Sequence, residues 1–398
     1  MTARIPLDGS PLVLGGLIFG GLIFGGAPIG GLYTPVSDET AAETLAAAWA
    51  AGIRAFDTAP HYGAGLSERR IGEFLAGRPR DEFAVSTKVG RLLVPAVGDT
   101  EGAEGFYGTP PLTRIRDYSR DGVLRSLEES LRRLGLDRVD IALIHDPDDF
   151  LPQAADGAYP ALAELRRQGV VGAIGAGMNF TAPLTWLVER CDLDCVLVAG
   201  RYTLLDDSAA ETLFPLCLRR GVAVLAGGVF NSGILAGADD GATYDYAPAP
   251  AALLARARQM RDACARYGVP LAAAALRFTL RHPAVTAAVV GARTPEEVTS
   301  DVSYLSTHIP DALWAELNWT RQCLPGSAAT ETHVVLWFRL LTGAGPLRRL
   351  PGYRVAVPFL PLSVSMERAI GCSECCPEHR RPMLLQDAQA CVNYLRPG

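Results

Sequence analysis

The chain has 398 residues, 49% of them hydrophobic and 20% charged, a balance that excludes wholesale disorder and leaves room for one large α/β domain with an appendage. A formal net charge of -6 without any long basic run argues against a nucleic-acid surface. Nine cysteines scattered along the sequence do not make the dense framework of a small secreted domain, so the expected location is a reducing cytoplasm.

The first predicted element sits in a stretch without charge from Gly9 to Ser37, of which Pro11 to Leu32 is apolar enough to span a bilayer. Within it Gly16-Leu-Ile-Phe-Gly20 repeats at once as Gly21-Leu-Ile-Phe-Gly25, a small-xxx-small spacing, and Arg4 could serve the positive end of a signal peptide. Against both membrane readings, eight glycines between Gly15 and Gly31 disfavour a helix. The expectation is a barrel strand carrying a five-residue tandem duplication, with no membrane partner.

Ser37 or Asp38 then caps a helix through the alanine-rich stretch from Thr40 to Ala51, which Gly52 ends. From there short apolar runs alternate with amphipathic stretches at intervals of roughly 30 residues, the rhythm of strand, crossover helix, strand. Strands are predicted at Ile53 to Asp57, Phe83 to Lys88, Val139 to His145, Val171 to Gly177, Cys195 to Ala199, Val222 to Ala226 and Ala287 to Val290. The glycine-rich first strand brings the set to eight, and helices fall between, for example at Asp121 to Leu134 and Leu253 to Tyr267. The fold class is therefore α/β, a parallel (β/α)₈ TIM barrel over residues 1–323. A doubly wound sheet competes, but no G-x-G-x-x-G follows any predicted strand. Gly90 to Arg120 and Gly228 to Pro250 are longer than a barrel requires, as expected of a lid or specificity wall.

Beyond Leu324 the periodicity fades, and residues 324–398 are expected to form an irregular C-terminal extension. Cys372, Cys375, Cys376, His379 and Cys391 offer soft ligands there, yet without a second well-spaced C-x-x-C pair no metal site is assigned.

Of the 37 basic side chains, Lys88 alone is lysine. A compositional bias toward arginine explains the rest; one exception suggests a task that needs a compact ammonium. Lys88 ends the predicted third strand, Asp57 ends the second with Tyr62 just beyond it, and His145 ends the fourth. Neighbouring strand ends in a barrel lie close together, so the four converge at its C-terminal mouth. Their chemistry is complementary: Lys88 lowers the tyrosine pKa, Asp57 keeps Lys88 charged and oriented, and His145 hydrogen-bonds a substrate oxygen. Such a site moves a proton while hydride passes between carbon and nicotinamide. The acids of His145-Asp-Pro-Asp148-Asp149 read as a solvated turn rather than as metal ligands.

The Asp-x-x-x-x-Tyr element, the strand-end lysine and Leu143-Ile-His145 resemble the catalytic tetrad of the aldo-keto reductase superfamily. Phe56 to Arg69 and Gly25 to Tyr33 most resemble its branch of L-fucose, D-threo-aldose, L-galactose and pyridoxal dehydrogenases, a likeness that runs over Pro11 to Cys323. It implies NAD(P)-dependent oxidation of the C1 hemiacetal of an aldose to a lactone, with Tyr62 as general acid and base. It also implies a cofactor held by Asn179 at the carboxamide, by Ser232, and by Gly291, Arg293, Thr294, Glu297 and Asp301 at the adenosine end. Asp301 replaces the more usual asparagine, Ala199 a glutamine, and Gly227 a tyrosine that stacks on nicotinamide. NAD and NADP both stay open. Reduction of small aldehydes or ketones is the alternative activity, and a cofactor-binding regulatory or inactive protein is the alternative of another class.

Overall fold

The computed structural model describes residues 12–14, 17–19 and 21–322. The 323/324 boundary, the 324–398 extension and its cysteine cluster lie outside the described residues.

Eight parallel strands close into a barrel, each paired with its neighbours in chain order and the last with the first. They are β1 (Leu22–Gly25), β2 (Ala55–Asp57), β3 (Ala84–Val89), β4 (Val139–His145), β5 (Val171–Met178), β6 (Cys195–Ala199), β7 (Ala223–Gly227) and β8 (Val285–Gly291). The expected TIM barrel is thus the observed fold. Of the two Gly-Leu-Ile-Phe-Gly copies, the second supplies β1, seated between β8 and β2. Leu17–Phe19 of the first instead pairs antiparallel with Leu12–Leu14. The described part of the apolar stretch is therefore short strands and one 3-10 turn, Pro28–Gly30, and no helix among the described residues is long and apolar enough to cross a membrane.

Strand parity decides which residues face the barrel interior, because successive side chains alternate across a strand. Ile23, Ala55, Ala84, Ile141, Leu143, Cys195, Leu197 and Val289 form the packed interior cluster. Phe24, Phe56, Val85, Ala142 and Ile144, one step out of phase, pack in the layer shared with the helices. Continuing the interior phase to the strand ends gives Gly25, Asp57, Lys88, His145, Gly177, Ala199, Gly227 and Gly291. Three of these eight, on the adjacent strands β2 to β4, carry reactive side chains, and the other five are glycine or alanine.

Helices form where the caps allow. Asp38–Ala50 starts at Ser37, whose hydroxyl accepts from Thr40 N–H, and Arg120–Leu134 starts at Ser119 in the same way and stops at left-handed Gly135. Of the two long connections, Gly90 to Arg120 folds into an antiparallel hairpin, Arg91–Pro95 against Leu112–Arg116. The second, Gly228 to Pro250, contains a short helix Ile234–Gly237 and a minimal hairpin, Thr243–Tyr244 against Ala247–Pro248.

Candidate active site

Three strand ends and one loop meet at the chemical side of the rim. Lys88 Nζ lies 2.7 Å from Asp57 Oδ2 and 3.0 Å from the Thr58 carbonyl, while the Ser86 hydroxyl donates to Asp57 Oδ1 at 2.9 Å. Asp57 and Lys88 are almost wholly buried, so their pairing replaces the water each has lost. Burial alone would lower the Lys88 pKa, but Asp57 and Tyr62 together carry it up to about 12, and the ammonium stays charged.

Tyr62 is delivered by the turn after β2. Gly63 holds φ +63°, and a Cβ there would stand 2.1 Å from the Gly30 carbonyl, so two backbones touch where the tyrosine is set. The Lys88 ammonium lies 4.5 Å from the Tyr62 ring centroid. Its influence is toward a lower tyrosine pKa, as expected, yet burial outweighs it and the phenol stays above its ordinary value. The His145 ring stands perpendicular to Tyr62, centroids 5.8 Å apart. Burial, followed by Arg91 and Lys88, keeps the imidazole well below its usual pKa and hence neutral, and Nδ1 is buried without a partner.

Two neighbouring cavities open here. One of about 300 Å³ is lined by Tyr62, Lys88 and His145 together with His61, Arg91 and Asp146. The other, of about 490 Å³, runs past the bare side of the rim toward Arg293, Glu297 and Asp301. Asn179 and Tyr62 line both.

The remaining residues expected to hold a cofactor divide between cavity and scaffold. Ser232, Gly291, Arg293, Glu297 and Asp301 line the larger cavity. Thr294 does not; its hydroxyl accepts from Glu297 N–H and starts the helix Pro295–Ser306. Glu297 in turn accepts from Arg293 N–H at 2.7 Å. Burial, then Glu297, raises the Asp301 carboxyl to about 7. Arg293 Nε and Asn231 Oδ1 are buried without a protein partner, as polar atoms waiting on a ligand would be. A cavity of about 490 Å³ lined by both an unpaired guanidinium nitrogen and the tyrosine fits a dinucleotide.

Sequence reasoning missed Tyr246 and Asp146. Tyr246, from the loop after β7, keeps its ring partly in solvent, offers its hydroxyl oxygen to the Asn179 amide, and lines both cavities. Arg201 ties this loop down, reaching Asp245 at 2.8 Å and the Asn179 carbonyl at 2.8 Å. The expected solvated turn after β4 is only partly so: Asp149 is exposed, whereas Asp146 turns inward to Arg91. No group of acids, histidines and cysteines suited to a metal occurs among the described residues.

Residues 21–320 match the sequence pattern of the aldo/keto reductase family. The chain belongs to that family. As an aldo/keto reductase it is an oxidoreductase that works with a nicotinamide cofactor. D-threo-aldose 1-dehydrogenase of a Pseudomonas species is 44% identical to it over 294 residues, 72% of this chain and 89% of that one. Pyridoxal 4-dehydrogenase of Microbacterium luteolum is 40% identical over 307 residues, 72% and 90% of the two chains. Among solved structures, an aldo-keto reductase of Bacillus halodurans in its holo form shares the fold, with a TM-score of 0.63, 22% identity, and coverage of 80% of this chain and 99% of its own.

Proposed function

We propose that this aldo/keto reductase is a cytoplasmic aldose 1-dehydrogenase that oxidises the C1 hemiacetal of a sugar to a lactone. The observation that carries the reading is the buried Lys88–Asp57 pair set against Tyr62, with His145 across a cavity of sugar size. The 44% likeness to an aldose 1-dehydrogenase supports the substrate class.

A bound nicotinamide would supply the acceptor for the hydride of C1. Tyr62 takes the proton of the C1 hydroxyl, so that C1 and its oxygen end as the lactone carbonyl. Lys88 stabilises the phenolate form that accepts this proton, and Asp57 keeps the ammonium in place. Neutral His145 donates a hydrogen bond to the same oxygen and fixes its approach. Asn179 holds the carboxamide end, and Ser232, Gly291, Arg293 and Glu297 hold the phosphates and adenosine, with Thr294 shaping their helix. Acidic Glu296, Glu297 and Asp301 at that end favour NAD, since an added 2′-phosphate would meet like charge.

Purified protein given NAD or NADP and a panel of aldoses should reduce the nicotinamide faster with NAD, and Tyr62→Phe should abolish the signal while leaving cofactor binding intact. The reading fails if no hemiacetal or carbonyl compound supports turnover.

A further inference from the structure

We propose that Arg91 and Asp146 form a clamp for the hydroxyl on the carbon next to the reacting one, so that the enzyme selects substrates with two adjacent hydroxyls. The inference deepens the aldose reading and rests on it for the identity of the reacting carbon.

Asp146 directly follows His145 and adopts φ +44°, a left-handed conformation that an aspartate tolerates but does not prefer. Three bonds hold the backbone there: Asp146 N–H donates to the Gly177 carbonyl at 3.0 Å, and the buried Tyr118 hydroxyl reaches the His145 and Asp146 carbonyls at 2.6 and 2.8 Å. This turn brings a carboxylate oxygen to 3.5 Å from His145 Nε2. The segment could have left the barrel in an ordinary conformation with its acids in water, as Asp149 does. A left-handed residue directly after His145, held by three hydrogen bonds, points to a task for its side chain.

Arg91 arrives from the hairpin that extends β3. Its Nη2 lies 2.6 Å from Asp146 Oδ2, and its Nη1 lies 3.2 Å from His61 Nδ1 and 3.4 Å from Glu104. Burial, with Arg91 next, holds His61 down at about 2, so the ring is neutral and its nitrogen accepts from the guanidinium. Arg91 is thus fixed in a fork, with Nε still unpaired, and both it and Asp146 face the 300 Å³ cavity.

A carboxylate beside a guanidinium matches a hydroxyl, which donates to the first and accepts from the second. Adjacent hydroxyls on a sugar stand about one hydrogen bond's length apart. An oxygen held by His145 therefore places its neighbour at Asp146. A substrate with hydrogen at that position leaves both ions facing the cavity without a replacement for lost water, which costs about 10- to 100-fold in rate.

The test compares an aldose with its 2-deoxy counterpart on the NAD-loaded enzyme, by kcat/KM and by calorimetric binding. Asp146→Gly removes the carboxylate but keeps a residue at ease with positive φ, and Arg91→Gln examines the other partner should the first fold poorly. Wild type should favour the hydroxylated sugar, and each variant should bring the ratio toward one, mainly by losing rate on the hydroxylated sugar. Equal treatment of both sugars by wild type overturns the clamp, as does a variant that loses both rates equally with the ratio intact. Aldose turnover without discrimination sinks the clamp alone; no binding or turnover of any aldose sinks it together with the aldose reading.

Discussion

Lys88 carries a charge that no arginine can carry in the same space. Its ammonium is enclosed by Asp57, the Thr58 carbonyl and the Tyr62 ring, and a guanidinium would displace the phenol or break the ion pair. Lys88→Arg should lower kcat by roughly 10²- to 10⁴-fold while the protein stays folded, read from turnover beside a melting curve. Unchanged kcat would reduce the sole lysine to an accident of composition. Burial also holds the Tyr62 phenol above its ordinary pKa, so the fraction able to accept a proton grows with pH. Oxidation should accordingly accelerate from neutral toward alkaline pH, and Lys88→Met should push that rise further up; a flat profile in the chemical step would contradict the assignment. At the far end of the larger cavity, Asp301 ionises near 7. Discrimination against NADP relative to NAD should widen as pH rises through that value, and Asp301→Asn should flatten the trend. Competition binding at several pH values checks both.

At the level of elements, the strand ends deliver the side chains and the following loops decide what meets them. Gly63 and Gly30 press backbone on backbone. Gly63→Ala should therefore cost about 1–3 kcal/mol of stability, by denaturant titration, and slow turnover besides, since Tyr62 would have to shift. Equal stability would mean that the two loops yield freely. These elements also show how far sequence reaches. Strand periodicity and parity place Asp57, Lys88 and His145 within a residue or two, because alternation is local and the interior is apolar. Asp146 escaped because its role depends on φ +44° and on Arg91, 55 residues away in the chain. Tyr246 escaped because a long loop has no period to betray where one aromatic folds back. Thr294 was legible as a polar residue before a helix, yet sequence could not tell a cap from a ligand contact.

For the whole molecule, an eight-strand closure leaves no free edge in the barrel sheet, and the rim divides by strand into a side that reacts and a side that makes room. The family match ends at residue 320, and the helix Asp311–Gln322 packs within the barrel's second apolar cluster through Leu313, Trp314 and Leu317. A chain ending after Gln322 should therefore fold and retain its turnover. Loss of soluble protein or of activity would show that the C-terminal residues support the barrel. The Gly-Leu-Ile-Phe-Gly repeat has a different consequence, which belongs to folding rather than to catalysis. Two identical segments compete for one slot between β8 and β2, and local sequence does not distinguish them. A chain that seats the first copy carries five extra residues into the turn before Pro28, on the cavity side. Refolded enzyme should then split into two populations, one binding cofactor and one refusing it, and removal of residues 16–20 should merge them into a single competent species.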